Sequence, residues 1–368
     1  MTAKGQGLPG RPSRTDARRS HEGRLAHRRR RVVRRWRGVI AATPVALLAL
    51  LALVGWHKGA AHTRSASVPI ERAFGAVSHG SPDRFVVRRR AFTLPFALQD
   101  AAAVAIGAGR GVLLGGLDGA DTSTATVSVL DAKGIRPAAS LPEAQHDAQG
   151  TFLDGRAYVF GGGQVSSYAH VLSYDPTTGS VTQVASLPSP ASDAAVAAIA
   201  GTAYVVGGYD GHQALDTIVA WHPGERPHIV GRLPYGLRYA ALAASGGRLL
   251  IAGGSRGEAA TTAILSFDPV DHKVRLLGKL PSPITHAAAV ALGSYVYVIG
   301  GRGAAAGTQS AAIVAIDPAT GRSVTVGRLP QPLSDAAALL LSGQVWLAGG
   351  LSASGPVASV LKLTPTAR

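Results

Sequence analysis

Six short runs decide how this chain folds: GVLLGG (111–116), AYVFGG (157–162), AYVVGG (203–208), LLIAGG (249–254), YVYVIGG (295–301) and VWLAGG (345–350). Each is an apolar stretch ending in a glycine pair, and the first glycines are spaced 46, 46, 46, 47 and 49 residues apart. A second marker keeps the same rhythm. Leu-Pro recurs at Leu94, Leu141, Leu187, Leu233, Leu280 and Leu329, with spacings of 47, 46, 46, 47 and 49. Two markers in phase through six units define an internal repeat.

Each unit reads as four strands. In the second, Gln149–Leu153 and the run from Ala157 are joined at Asp154-Gly155, a third strand ends in SYDPTTG (173–179), and a fourth covers Val181–Val184. The runs before the glycine pairs are apolar on both faces, so neighbouring sheets must cover them on both sides. DPTTG (175–179), DPVDH (268–272) and DPATG (317–321) carry turn chemistry: Asp bonds nearby amides and Pro presets φ. Four antiparallel strands repeated six times predict an all-β, six-bladed β-propeller over residues 85–364. The last unit stops near Leu363 without a fourth strand, while an orphan strand, Phe85–Thr93, precedes the first Leu-Pro. Phe85–Thr93 is therefore expected to complete the last sheet and join the two ends.

The units resemble kelch repeats, on the strength of the glycine pair after an apolar strand and a downstream aromatic. That aromatic is Tyr174, Trp221 and Phe267 in three units but Leu130, Ile316 and Leu363 in the others, and the fourth-strand Trp common in kelch repeats is missing. Galactose oxidase shares the kelch-type propeller, but its copper chemistry needs a cysteine-linked tyrosine. This chain has no Cys. The same absence excludes disulfide frameworks, thiolate metal sites and a cysteine nucleophile. No HExxH pair, GxSxG elbow or sialidase-type Asp box occurs, and no cofactor is expected. Gly107-Ala108-Gly109-Arg110-Gly111 looks like a phosphate loop, but Val112 breaks the dinucleotide pattern and the stretch aligns with the turn between the first two strands of a unit.

One repeated position carries polar chemistry. Five residues after each proline stand Asp100, Asp147, Asp193, Tyr239, His286 and Asp335, each opening an innermost strand. They are expected to ring the mouth of a central channel, with Gln99, His146, Arg238 and Thr285 just before them. Four carboxylates and a histidine could bind a cation or offer acceptors to a sugar or an amine, and whether a metal sits there is open. A recurring Asp at a strand start equally suits a structural task, bonding backbone amides between blades. Arg238, Tyr239, His286 and His146 break the repeat and are the stronger functional candidates. Loops after the glycine pairs add Asp118, Asp121, Asp210, His212, Arg256, Glu258 and Arg302 to a candidate binding face.

The first 84 residues differ from the repeats. Residues 1–37 hold thirteen Lys and Arg against Asp16 and Glu22, a net +11 of the chain's +16, so the remainder carries +5. Residues 1–38 read as a disordered basic tail. Val39–Gly55 runs seventeen residues without a charge, bracketed by Trp36 and Trp56, and as a helix would span roughly 25 Å. Residues 39–56 are expected to be a single-pass signal anchor, N-terminus cytoplasmic and propeller extracytoplasmic, followed by a linker over 57–84. The alternative is secretion after cleavage of a twin-arginine signal, Arg34-Arg35 with small residues at Gly59-Ala60-Ala61. The tail suits anionic headgroups at the membrane better than nucleic acid.

The expected function is a membrane-anchored, extracytoplasmic ligand- or protein-binding module, binding being favoured over catalysis and the enzyme question left open. The alternative is a carbohydrate-active enzyme, since some bacterial kelch-type propellers are exported sialic-acid mutarotases. The Ala- and Arg-rich composition points to a GC-rich bacterial genome.

Overall fold

A computed structural model describes residues 80–366 of the chain. The readings made for 1–38, 39–56 and 57–79 lie outside the described residues. Within them there is no helix; every regular element is a strand.

The sheet built from the third unit shows why. Ala195–Ile199, Thr202–Val206, Thr217–Trp221 and His228–Arg232 pair in that order, all antiparallel. The second and third strands, TAYVV and TIVAW, are buried apart from their first residue, whereas the outermost HIVGR is largely exposed. Covered on both faces, the middle strands need no polar alternation; the outer one does. A bulge between Ile218 and Val219 shifts the last pairing, and comparable shifts follow Val127, Gln183, Ile264 and Ile313. An extra residue there twists the exposed edge away from pairing with another chain.

One long strand crosses from one sheet to the next. Gly134–Leu153 pairs through its first half with Thr124–Asp131 and through its second with Arg156–Gly163, so the Leu141-Pro142 step lies inside a continuous strand. The innermost strands Ala102–Ala105, Gly134–Leu153, Ala195–Ile199, Ala241–Ser245, Ala288–Leu292 and Ala337–Leu341 each touch the next, and the last touches the first.

The glycine pairs make the joints between units. In each pair the second glycine donates its amide to a carbonyl of the following unit, as from Gly162 to Ala191 at 2.9 Å and from Gly208 to Leu237 at 2.8 Å. The last, Gly350, reaches Leu98 of the first unit at 2.7 Å. The first glycine passes that same carbonyl so closely that a Cβ on Gly207 would lie 2.2 Å from the Leu237 oxygen, with φ already at +64°. Gly207→Ala should therefore cost at least about 2 kcal/mol in urea melts. A cost below about 0.5 kcal/mol would show that the joint can open without loss.

Closure follows the sequence expectation. Arg84–Thr93 pairs with Ser359–Thr366 from Arg84↔Thr366 to Thr93↔Ser359, completing the sheet that holds Ala337–Leu341 and Gln344–Ala348. Phe85 meets the Tyr297 ring edge-on at 4.9 Å, and the Tyr297 hydroxyl accepts the Asp83 amide at 2.8 Å. Antiparallel alternation places Thr93 at the end where the innermost strands begin. Arg84 lies at the opposite end.

Candidate functional site

The six residues opening the innermost strands share one backbone state. Asp100, Asp147, Asp193, Tyr239, His286 and Asp335 all have φ between 52° and 59°. The left-handed turn lets each amide reach the carbonyl of its counterpart in the preceding unit. Asp147 donates to Asp100, Asp193 to Asp147, Tyr239 to Asp193, His286 to Tyr239, Asp335 to His286 and Asp100 to Asp335, at 2.9–3.1 Å. The circuit closes on itself. This corrects the expectation that the Asp side chains bond the amides between blades: backbone carbonyls do that. Asp recurs because its short side chain tolerates positive φ better than most.

The carboxyls thus released crowd above a channel of about 230 Å³ lined largely by small residues such as Ala103, Gly150, Ala241, Ala289 and Ala338. Burial pushes the Asp100 carboxyl well above its usual range, helped by the charges of Asp147 and Asp335 and a hydrogen bond to Asp335. Asp147 is raised in the same way, by burial and then by the charge of Asp193 and a hydrogen bond to it. Burial also raises Asp335, against hydrogen bonds from Ser334 and Asp100 and the charge of Arg302. The ring therefore sorts into two neighbouring carboxyl pairs, Asp100 with Asp335 and Asp147 with Asp193, in which burial favours the neutral form of Asp100, Asp147 and Asp335.

Each pair has an arginine. The Arg238 Nε donates to Asp193 Oδ2 at 2.5 Å, and a second guanidinium nitrogen meets the same oxygen. Arg238 lies over the Tyr209 ring at 4.3 Å and donates to the Tyr239 hydroxyl at 3.3 Å, which in turn donates to Asp147 at 3.4 Å. On the other side Arg302 donates to His286 Nε2 at 3.0 Å. Burial and then the two arginines push His286 down to about 3, so the imidazole is neutral at pH 7 and its 3.9 Å approach to Asp335 is not an ion pair. With Nε2 accepting, the proton sits on Nδ1, which has no partner among the described residues. His286 stacks on Tyr239 with ring centres 3.6 Å apart.

Beside the ring opens a pocket of about 300 Å³ walled by His146, Asp147, Asp193, Tyr209, Arg238 and Tyr239. His146 is held by the Ser123 hydroxyl at 2.8 Å and lowered by burial. The loop over this pocket carries Val165, 98% exposed. Among the loop candidates only Arg302 reaches the ring. Asp210 makes a turn, accepting the His212 and Gln213 amides at 2.7 Å each, with its carboxyl lowered chiefly by the Gln213 bond; His212 and Glu258 are exposed. Arg256 stands over Tyr235 at 4.7 Å. Tyr209 escaped the sequence reading, although its place directly after a glycine pair was the available signal. Among the described residues no group of three or more His, Asp and Glu is placed to hold a metal ion.

A closed circuit of antiparallel sheets with its polar cluster at one mouth defines a propeller. A family model described as the KLHDC2/KLHL20/DRC7 Kelch-repeats domain matches residues 117–301, which is 185 of 368 residues. The chain belongs to the kelch-repeat family. It is similar to a solved structure entitled "Structure of YjhT", with TM-score 0.64 and 20% identity, covering 75% of this chain and 99% of that one. At that identity the likeness is one of fold. No curated protein matches the sequence.

Proposed function

We propose that this chain is a six-bladed kelch-type propeller that binds a ligand or protein partner at the mouth pocket, held outside the cytoplasm by a single-pass anchor at 39–56. The observation that supports binding is Arg238: half-buried, fixed by Asp193 and flanked by Tyr209 and Tyr239 on the pocket wall. Tyr and Arg in this setting are the residues that dominate recognition surfaces. Residues 85–364 form the binding domain, 57–84 its linker and 1–38 a cytoplasmic tail at anionic headgroups. The full chain in an uncharged detergent should retain specific members of glycan or peptide arrays, and Tyr209→Ala should weaken retention at least tenfold with melting unchanged. Retention indifferent to Tyr209→Ala removes the mouth pocket from the reading.

The topology rests on the charge asymmetry around Val39–Gly55. External protease on intact cells should remove the propeller and leave a small basic fragment in the membrane. A mature protein beginning near His62 and found in the medium would favour the cleaved signal.

A second reading, a mutarotase-like enzyme on carbohydrate, draws on the buried carboxyls Asp100, Asp147 and Asp335 beside Tyr239 and His286, raised above the usual range by burial, which could give and take protons at a sugar's anomeric centre. Anomer exchange of N-acetylneuraminic acid followed by NMR decides it: acceleration lost in Asp147→Asn supports the enzyme, and an unchanged exchange rate removes it.

A further inference from the structure

At the end of the propeller opposite the mouth, a pocket of about 400 Å³ lies between the first unit and the closing sheet, with Arg110, Asp131, Lys133, Ser342, Gln344 and Trp346 on its wall. Three departures from the repeat converge there. The inner hairpins elsewhere turn through two residues, as at Asp154-Gly155 between Leu153 and Arg156, or Ser342-Gly343 between Leu341 and Gln344. In the first unit the turn is longer: Ile106 pairs with Arg110 across Gly107, Ala108 and Gly109, all at positive φ.

The second departure is electrostatic. In two other units the Arg after this turn meets the Asp ending the third strand, Arg156 with Asp175 and Arg248 with Asp268, both at 3.0 Å. Here the corresponding Asp131 turns to Arg136 at 2.9 Å. Among the described residues Arg110 is left without an ion pair, half-buried, and Lys133 likewise has none.

The third is a pair of orphaned donors. Trp346 is 4% exposed and its indole N–H has no acceptor, whereas Trp221 gives its own to the Glu225 carbonyl at 3.0 Å. Arg90 lies over the Trp346 ring at 5.1 Å and binds the Ala132 carbonyl at 2.9 Å, yet its buried Nε–H also lacks a partner. Unmet buried donors are rare in native structures and call for an acceptor. Trp346, with its unmet donor, lines the cavity together with an unpaired guanidinium and an ammonium, a set that suits an anion with several acceptor oxygens.

We propose that this pocket is a second binding site, for a phosphate monoester group, with Arg110 and Lys133 supplying charge and the Trp346 indole N–H direction. The group could belong to a soluble metabolite or to a lipid headgroup. The test uses the full chain in uncharged detergent with ¹⁵N-labelled tryptophan, the Trp346 indole signal being assigned by its loss in Trp346→Phe. Inorganic phosphate and glycerol 3-phosphate should move that signal in a saturable way, and Arg110→Gln should weaken the titration at least tenfold. Basic residues of the N-terminal tail bind phosphate equally in both proteins, so the difference reports the pocket. Mixed micelles with phosphatidic acid acting at lower concentration than glycerol 3-phosphate would assign the lipid source, and the reverse order the soluble one. A Trp346 signal unmoved by every probe, or moved equally in Arg110→Gln, overturns the proposal.

Discussion

Deleting Phe85–Leu94 from the full chain is expected to abolish cooperative melting or to lower the midpoint by well over 10 °C. This strand supplies Phe85 and Val87 to the core between the last two sheets and Phe92 to the neighbouring one. Full burial stabilises by roughly 1.5–3 kcal/mol per side chain, so these three partly buried ones contribute on the order of 2–5 kcal/mol. That is a large fraction of the roughly 5–15 kcal/mol of a typical domain. Deletion also strips Ser359–Thr366 of its partner and leaves an inner strand as a bare edge. Removing residues 57–79 instead should leave the melting curve unchanged. Equal midpoints for the two deletions would show that the terminal strand does not hold the ring shut.

The second large effect concerns the four ring aspartates, which should respond unequally. Asp193→Asn leaves the half-buried Arg238 without its carboxylate and should cost roughly 2–4 kcal/mol. Asp100→Asn and Asp147→Asn replace carboxyls already biased toward the neutral form, and should be neutral or stabilising near pH 7. The pH dependence carries the same signature. For Asp100 and Asp147 the native value lies above the unfolded one, so their stabilisation is complete below the ordinary carboxylate range and is lost as pH rises through the native value. His286 acts the other way: with a native value of about 3 against 6.5, stability is gained as pH rises between the two. Asp147→Asn should remove part of the decline seen as pH rises above the ordinary carboxylate range and leave the His286-driven gain intact. A uniform cost at all four aspartates would mean that their side chains do bond the amides between units.

The repeat was legible because its markers answer to backbone geometry. A glycine pair is demanded wherever one unit's strand slides past the next unit's carbonyl, as at Gly207 against Leu237, and no side chain can substitute. The positions of the ring were legible for a related reason, since each needs a residue that accepts positive φ. What the aspartates do there was hidden, because an Asp that bonds an amide and an Asp that merely tolerates the turn look alike in a sequence. Pairing was hidden too. Whether Arg238 meets Asp193 or Asp147 depends on how two loops from different units lean over the mouth, and Tyr209 joins them only in three dimensions. Arg256 and Glu258, grouped with the ring by sequence, stay out on their loop.

The pairing of Arg84 with Thr366 has a consequence for how the molecule is made. Those partners are 282 residues apart, and the strand that needs a neighbour is translated before the one that supplies it. At a ribosome's pace of about 5–20 residues per second, Phe85, Val87 and Phe92 wait roughly 14–56 s for their covering surface. Through that interval the nascent chain presents an apolar, arginine-studded ribbon with nothing to sit against. The guanidiniums at Arg88, Arg89 and Arg90 then act as gatekeepers, keeping the waiting strand from pairing with other nascent chains until the last sheet arrives.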